Sequence, residues 1–261
     1  MLNCTPDSFA DGGRFSDVAG AVAAGLAMAA EGADWIDVGG ESTRPGARPV
    51  PVDEELGRVI PVIEALAARL EPTVGISIDT YKAETARTAM AAGARIVNDV
   101  SGGRLDPSIF AAVAGTNATI VLGHLRGEPA TMMENVVFTD VVAEVAGELG
   151  EQLAAARAAG CTKLWADPGI GFGKRAEHNL ALLADLAALG EAVGVPLMVG
   201  VSRKAFIGQL TGKPVGARQF GTAAAVSACV LAGAGAVRVH DVSAMRDVVA
   251  VAEAIRASKA R

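Results

Sequence analysis

The stretch Leu164-Trp165-Ala166-Asp167-Pro168-Gly169-Ile170-Gly171-Phe172-Gly173-Lys174 joins a short apolar run to a loop rich in glycine. A helical pattern follows over residues 179–189. Pro168 cannot donate to a sheet ladder, and the glycines allow the backbone to turn or to approach a ligand closely. The pattern therefore predicts a strand, a loop and a helix, with the carboxylate of Asp167 at the carboxyl end of a buried strand.

The loop fits neither of the common phosphate-binding motifs. The spacing GxxxxGK[ST] fails at Pro168 and Arg175, and Lys174 occupies the position of the third glycine in GxGxxG. Taken alone, the stretch is equally consistent with a plain crossover loop that has turn glycines. The ends of the other strands must therefore decide between a structural and a functional interpretation.

Composition limits the class of protein. The chain has 261 residues, of which 51% are hydrophobic, a length that one (β/α) barrel domain can fill, so we expect a single domain over residues 1–261. The net charge of −6 argues against general nucleic-acid binding. The apolar runs are far shorter than the roughly 20 residues that span a bilayer, and the first residues do not have the pattern of a signal peptide. Three cysteines without metal-binding spacing indicate reduced thiols and a cytoplasmic protein.

Short apolar runs alternate with helical periodicity along the whole chain. After the first strand, the predicted strands are 35–38, 74–78, 96–97, 119–122, 163–166, 196–199 and 236–239, and the predicted helices are 17–31, 53–69, 82–91, 107–114, 139–159, 179–189, 218–232 and 244–258. Eight such units predict a (β/α)8 TIM barrel, with a doubly wound open sheet as the alternative. The first strand is short, because only Met1 and Leu2 precede Asn3.

Polar side chains stand at the carboxyl end of every predicted strand. They are Asn3, Gly39 to Arg44, Asp79, Asn98-Asp99, His124-Leu125-Arg126, Asp167, Ser202-Arg203-Lys204 and Arg238-Val239-His240-Asp241. Each has an ordinary explanation when taken alone: Asp79 could cap a helix, Asn98 could complete a turn, and His240 could be a core histidine. Eight polar ends in one ring favour an active site at the carboxyl face of the barrel.

Two chemical groups stand out in this ring. Asp79, Asn98, Asp167 and Lys204 suit the amide and aminopyrimidine edge of a fused heterocycle, because a carboxylate accepts two parallel N–H bonds from such an edge. The second group, Arg44, Arg238, His240 and Asn3, offers cations and an amide oxygen for a phosphate-bearing group with a hard metal ion.

Seven motifs carry a resemblance to a known family. They are Asn3-Cys4-Thr5-Pro6-Asp7-Ser8-Phe9-Ala10-Asp11-Gly12-Gly13, Asp37-Val38-Gly39-Gly40-Glu41-Ser42-Thr43-Arg44-Pro45-Gly46, Ser77-Ile78-Asp79-Thr80, Asn98-Asp99-Val100-Ser101-Gly102, Asp167 to Lys174, Ser202-Arg203-Lys204 and Arg238-Val239-His240-Asp241. In this order they closely resemble the dihydropteroate synthase family over the whole chain.

The resemblance implies condensation of 6-hydroxymethyl-7,8-dihydropterin pyrophosphate with p-aminobenzoate, which gives 7,8-dihydropteroate and pyrophosphate in folate synthesis. It also implies magnesium, inhibition by sulfonamides and a homodimer. The implied residues are Asp79, Asn98, Asp167 and Lys204 for the pterin; Asn3, Arg44, Arg238 and His240 for pyrophosphate, with Asn3 on Mg²⁺; Thr43, Pro45, Phe172, Ser202 and Lys204 for p-aminobenzoate; and Asp79, Asp167, Lys204, Arg238 and His240 for catalysis.

The chain departs from the family at a few positions. Gly123 and Leu125 stand where the family commonly has methionines on either side of the histidine, which would loosen packing over the pterin. Two alternatives stay open: a pterin-dependent methyltransferase domain, and a non-catalytic paralogue that binds pterin. The motifs around Arg44, Lys204 and His240 favour the synthase over the methyltransferase.

Overall fold

A computed structural model describes residues 1–5 and 18–258 of the chain. The described strands are β1 (Leu2–Asn3), β2 (Trp35–Gly39), β3 (Gly75–Asp79), β4 (Ile96–Asp99), β5 (Thr119–Gly123), β6 (Lys163–Asp167), β7 (Met198–Val199) and β8 (Ala236–Val237). The described helices are α1 (Val18–Ala30), α2 (Val52–Ala67), α3 (Ala83–Ala91), α4 (Ile109–Val113), α5 (Val141–Ala158), α6 (Ala176–Ala184), α7 (Leu186–Val193), α8 (Ala205–Thr211), α9 (Gln219–Leu231) and α10 (Val242–Ser258). The predicted start of the first helix, Asp17, lies outside the described residues.

The strands are parallel and follow one another around a ring. β1 to β6 pair in sequence order, and β7 pairs with β8. A single bridge between Ala166 and Leu197 joins β6 to the β7 side. Across the remaining gap, the Met1 amine donates to the carbonyl of Val239 at 2.8 Å. The (β/α)8 barrel prediction is therefore confirmed, and the short first strand is confirmed with it, since Leu2 and Asn3 pair with Val38 and Gly39.

Alternation along the strands separates two environments. Ile36, Val38, Ile76 and Ile78 are buried in the large core between the strands and the helices. A second apolar cluster is formed by Ile96, Val121 and Met198, with Trp35 and Trp165 packed against it. Because side chains alternate faces with a period of two, Asp37, Asp79, Asn98 and Asp167 share the inner face with this second cluster and lie nearer the carboxyl ends. The inside of the barrel is thus apolar toward the amino ends of the strands and polar toward their carboxyl ends.

The helices follow the predicted order with two differences. The single helix predicted over 179–189 is observed as α6 and α7, which are separated at Asp185 with φ of −103° and ψ of 24°. Helix α8 was not predicted. It has only seven residues, too few for a clear helical period in the sequence. No helix within 1–5 and 18–258 is long and apolar enough to cross a membrane.

Five helices are followed by a glycine that ends them before the next strand. Gly32, Gly93, Gly160, Gly194 and Gly233 all have positive φ, between 66° and 120°. This left-handed conformation is the usual helix stop, and glycine adopts it without the steric cost that a Cβ would bring. Each helix therefore ends where the chain must turn back toward the next strand.

Candidate active site

A pocket opens at the carboxyl ends of the strands, where the sequence placed the site. Eight predicted site residues line it: Thr43, Asp79, Asn98, Asp167, Phe172, Ser202, Lys204 and Arg238. A wider cleft of about 650 Å³ lies at the opposite end of the barrel, but its lining holds cations and no carboxylate. Because barrel chemistry is carried by the carboxyl-end loops, and because the polar groups converge there, the first pocket is the candidate active site.

Arg238 ties two carboxylates together at the floor of this pocket. Its guanidinium donates through Nε to Asp37 and through a terminal nitrogen to Asp79. The Asn98 amide nitrogen lies 3.4 Å from an oxygen of each carboxylate. The side chain of Arg238 is 15% exposed, so these charge-assisted bonds are sheltered from water.

The pKa values of Asp79 and Asp37 are shifted in opposite directions by this environment. Burial raises the pKa of Asp79 to about 7, although Arg238 opposes the shift. Burial also acts to raise the pKa of Asp37, but there Arg238 and a hydrogen bond from Ser77 outweigh it, so the pKa of Asp37 is lowered. Two nearby carboxylates that share one cation divide in this way, because the second charge is harder to form than the first. Asp79 is therefore the member of the pair that can hold a proton near neutral pH.

Lys204 and Asp167 both line the pocket, and each affects the pKa of the other. Burial lowers the pKa of Lys204 to about 8, with Asp167 opposing. Burial raises the pKa of Asp167, against its hydrogen bond from the Gly169 amide, which is 2.7 Å long. The Lys204 ammonium also lies 4.0 Å from the ring centroid of Phe172, a cation–π contact. The pair can thus bind both polar edges and flat rings.

Ser202 and His240 form a contact that the sequence did not predict. The Nδ1 atom of His240 lies 2.9 Å from the Ser202 hydroxyl. Burial and the nearby Arg203 lower the pKa of His240 to about 4. This environment favours a neutral imidazole at pH 7, which can donate a hydrogen bond, whereas the sequence predicted a cation at His240.

Between Ser202 and Lys204, the backbone is strained at Arg203. This residue has φ of 56°, unusual for a side chain other than glycine. Its guanidinium is paired with Asp241, and its amide donates to the Thr222 hydroxyl at 3.0 Å. These contacts hold a conformation that lets both of its neighbours face the pocket.

Four predicted residues do not line the pocket. One is His240, which lies behind Ser202 in the contact described above. Arg44 and Pro45 are exposed on the loop between β2 and α2, and Asn3 is half-buried at the end of β1 beside Gly39. Within the described part of the chain, no group of three or more His, Cys, Asp or Glu residues is arranged to hold a metal ion.

Gly123 is explained by the approach of a neighbouring loop. A Cβ at this position would lie 2.6 Å from the carbonyl oxygen of Val100, closer than real contacts allow. Leu125 is 1% exposed and packs away from the solvent. The backbone of Val100 thus fills the space beside Gly123, which argues against the looser packing expected from the sequence.

Sequence reasoning assigned no role to three polar residues. Asp37 lies on the inner face of β2 and shares Arg238 with Asp79; its position two residues before Gly39 could have indicated this through the strand period. Lys174 and His124 are buried behind the loop after β6, with 3% and 0% exposure. The sequence placed His124 in the ring of strand ends, but nothing in it pairs that histidine with Lys174.

The chain is similar to proteins of one family over nearly its whole length. Residues 1–240 match the family described as "Pterin binding enzyme". The dihydropteroate synthase of Synechocystis is 45% identical over 98% of this chain and 88% of that protein.

Solved structures of two further relatives carry ligands. That of Xanthomonas albilineans dihydropteroate synthase with 4-aminobenzoic acid has a TM-score of 0.90 at 47% identity, and covers 98% of this chain and 91% of that one. The same enzyme has also been solved with 7,8-dihydropteroate. The Yersinia pestis enzyme, solved as a sulfonamide drug complex, has a TM-score of 0.92 at 40% identity over 98% of this chain and 92% of that one.

Proposed function

The chain belongs to the pterin-binding enzyme family, and on that premise we propose that it is a transferase that makes 7,8-dihydropteroate from dihydropterin pyrophosphate and p-aminobenzoate. The observation that carries this proposal is the convergence of Asp79, Asn98, Asp167, Lys204 and Arg238 in one pocket. Such a set can bind a pterin and can also stabilise charge that develops on it.

We propose that the pterin lies between the two sides of this pocket. Asp79 and Asn98 present acceptors and a donor on one side, and Asp167 and Lys204 do so on the other. A carboxylate can accept paired N–H bonds from an aminopyrimidine edge, while the Lys204 ammonium donates to a ring nitrogen or oxygen. Burial strengthens each of these bonds, since little water competes for them.

The leaving pyrophosphate would be held by Arg238, His240, Arg44 and Asn3. Arg238 has only part of its donor fork free, because Nε and one terminal nitrogen are bonded to Asp37 and Asp79. His240 contributes as a neutral donor, and Arg44, exposed on its loop, would have to move inward.

Magnesium fits this set in a limited way. Asn3 offers one amide oxygen, and no cluster of carboxylates surrounds it among the described residues. Mg²⁺ often keeps several waters and binds substrate phosphates through few protein ligands. We therefore propose that Asn3 would hold Mg²⁺ together with the pyrophosphate, and that the ion would neutralise charge on the departing group.

p-Aminobenzoate would bind at the rim. Phe172 and Pro45 would contact the benzene ring, and Thr43, Ser202 and Lys204 would supply polar contacts. Phe172 already lies against Lys204, whereas Pro45 lies outside the pocket lining. Sulfonamides would inhibit by taking the same place.

The reaction would depend on stabilising the charges that develop on the substrates rather than on a strong general base. Pyrophosphate departs from the methylene group of the pterin and leaves a delocalised cation, which the carboxylates of Asp79 and Asp167 stabilise. Lys204 orients the ring, and Arg238 and His240 stabilise the leaving anion. The aniline nitrogen then attacks the methylene carbon and loses its proton to solvent or to the departing pyrophosphate.

We also propose that the chain is one catalytic domain over residues 1–261, a cytoplasmic protein and a homodimer. Support for the first two is the single ring of strands and the three unpaired, buried cysteines. Support for the dimer is an apolar face around the connection from α8 to α9, where Leu210, Val215 and Phe220 are 62%, 55% and 88% exposed. A second copy of the chain would cover this face, and light scattering of Phe220→Lys beside the unchanged protein tests it.

The function is tested by pyrophosphate release with both substrates present. We expect dihydropteroate, with an equal amount of pyrophosphate, to form only when Mg²⁺, the pterin pyrophosphate and p-aminobenzoate are all supplied. A methyltransferase would release no pyrophosphate, and a non-catalytic paralogue would bind pterin without turnover. Either result would refute the proposal.

A further inference from the structure

Lys174 is a buried ammonium that the proposed reaction does not use. It is 3% exposed, and its Nζ lies within hydrogen-bond distance of the carbonyl oxygens of His124, Gly169 and Phe172, at 3.2, 3.1 and 3.1 Å. A fourth contact, at 2.8 Å, joins it to Nδ1 of His124. Burial lowers the pKa of Lys174 to about 7. In either charge state its nitrogen donates hydrogen bonds that compensate for lost hydration, so this position is costly to leave unpartnered.

The imidazole of His124 fixes the direction of this ammonium. Its Nδ1 accepts from Lys174, so its Nε2 carries the proton and donates to Glu148 at 3.2 Å. Burial, together with Lys174, lowers the pKa of His124 to about 3, against the opposing charge of Glu148, so the ring is neutral. Glu148 is itself paired with Arg104 and Arg126 and does not depend on the histidine for its charge balance.

The two loop carbonyls that Lys174 contacts belong to the wall of the active site. Gly169 follows Asp167 by two residues and lines the pocket, and Phe172 lies under Lys204. The fit is close, because a Cβ at Gly169 would lie 1.9 Å from the carbonyl oxygen of His124. A group that pulls the carbonyls of Gly169 and Phe172 inward therefore also sets where Asp167 and the Phe172 ring point.

We propose that Lys174, oriented by the neutral imidazole of His124, is a positioning residue that holds the Asp167–Phe172 wall of the pocket in its binding geometry. It acts through backbone carbonyls and does not touch the substrates. This inference rests on the proposed function, in which Asp167 binds the pterin and Phe172 borders p-aminobenzoate. A displacement of about 1 Å in such a wall can cost up to about a hundredfold in rate.

The test begins with Lys174→Met, which keeps the chain length and removes every donor. Lys163→Met is the matched control, because Lys163 is exposed at the start of β6, the strand that leads into this loop. We expect Lys174→Met to raise the KM for p-aminobenzoate at least about tenfold and to speed hydrogen exchange of the loop amides at 169–174. The control should match the unchanged protein in both measurements.

Two substitutions of His124 separate positioning from general packing. In His124→Asn the amide oxygen occupies the place of Nδ1 and can still accept from Lys174, whereas in His124→Gln the amide lies at the position of Nε2. We expect His124→Asn to stay within about twofold of the unchanged protein and His124→Gln to follow Lys174→Met. If Lys174→Met fails to fold, this pair decides the matter.

Each outcome has a defined meaning. Equal KM values for the two His124 variants, or an unchanged KM in folded Lys174→Met, would overturn the inference. Hydrogen exchange does not depend on turnover. If Lys174→Met loosens the loop but the unchanged protein never releases pyrophosphate, the proposed function is rejected and the positioning role of Lys174 is retained. An unaltered exchange pattern in Lys174→Met would reject the positioning role of Lys174.

Discussion

Two of the loops that carry the proposed p-aminobenzoate residues, the β6–α6 and β2–α2 loops, are held in different ways. The β6–α6 loop, residues 168–175, is held from inside by the Lys174 ammonium and by Asn179, whose amide oxygen accepts from the Gly171 amide at 2.7 Å. The β2–α2 loop, residues 40–51, is held at its base by Glu41, which accepts from the Val50 amide and the Tyr81 hydroxyl, both at 2.9 Å.

The difference shows at the tips of the loops. Phe172 lines the pocket in the free protein, whereas Arg44 and Pro45 are exposed. The described contacts of the β2–α2 tip include two backbone bonds, from Gly46 to Pro129 at 3.2 Å and from Ala47 to Arg44 at 3.0 Å. One wall of the pocket is therefore preformed, and the other has its base fixed and its tip outside. Loops of the second kind commonly close over a bound substrate.

The largest effect is expected at the preformed wall, from Asp167→Asn. The asparagine oxygen can still accept the Gly169 amide, so the loop keeps its shape while the charge that opposes the pterin cation is lost. We expect kcat/KM to fall at least about a hundredfold, the loss typical of removing one preorganised electrostatic group. Circular dichroism and thermal melting would confirm that the variant is folded. Turnover close to that of the unchanged protein would remove Asp167 from the mechanism.

The sequence predicted the barrel and most of the polar ring, because both depend on local patterns. Alternation of apolar runs with helices predicts parallel strands, and a polar residue such as Asp79 or Asp167 that ends such a run must lie at the carboxyl face. The pairing of these groups was not predictable in the same way. That Arg238 commits its fork to Asp37 and Asp79 depends on strands far apart in the chain.

The contacts of Lys174 and the charge states of the histidines were likewise not predictable from the sequence. In the sequence Lys174 is only the last residue of a loop motif, and its burial depends on β5 and β6 lying side by side. The neutrality of His240 likewise follows from burial and from Arg203, which no spacing rule reports. Strand-end chemistry is local in sequence, whereas the protonation state of each group depends on the packed structure.

The second prediction concerns how the free energy of unfolding changes at low pH because of His124, the partner of Lys174. The pKa of His124 is lowered from 6.5 to about 3 in the folded protein. Below pH 6.5 the unfolded chain therefore binds a proton that the folded protein does not, so stability is lost as the pH falls toward 3. Over pH 6.5 to 4 the loss from this group can reach about 3 kcal/mol.

His124→Asn removes this titration and keeps the contact with Lys174. Urea unfolding at pH 7.5, 6.5, 5.5 and 4.5 should therefore show a smaller loss of stability in His124→Asn than in the unchanged protein, since other groups titrate in both. Parallel curves for the two proteins would mean that the imidazole is not held neutral by its surroundings.

The third prediction concerns the open wall. If the β2–α2 tip closes only when Arg44 meets a phosphate, p-aminobenzoate should bind at least about tenfold more tightly with Mg²⁺ and pyrophosphate present, which is about 1.4 kcal/mol of coupling. Calorimetric titration of p-aminobenzoate, with and without magnesium pyrophosphate, measures this ratio. Arg44→Met should reduce the ratio toward one. Equal affinities in the unchanged protein would show that both walls are preformed.

The smallest effect is expected at the base of the β2–α2 loop, from Glu41→Gln. Lys82 contacts both Glu41 and Glu55, at 2.7 Å from the latter, so it keeps one carboxylate partner when Glu41 becomes neutral. The glutamine oxygen can still accept one of the two bonds from Val50 and Tyr81. Loss of about one hydrogen bond, net about 0.5–1.5 kcal/mol, should raise the KM for p-aminobenzoate about threefold and leave kcat within about twofold.

Glu54→Gln serves as the control, because Glu54 lies on α2 with its side chain 53% exposed and pairs only with Arg58 among the described salt bridges. An exposed pair of this kind contributes little, so this variant should behave as the unchanged protein does. The decisive comparison is Glu41→Gln against Lys174→Met under the same conditions. If Glu41→Gln raises the KM for p-aminobenzoate as much as Lys174→Met does, binding depends equally on both loops. The distinction between a preformed wall and a closing wall then fails.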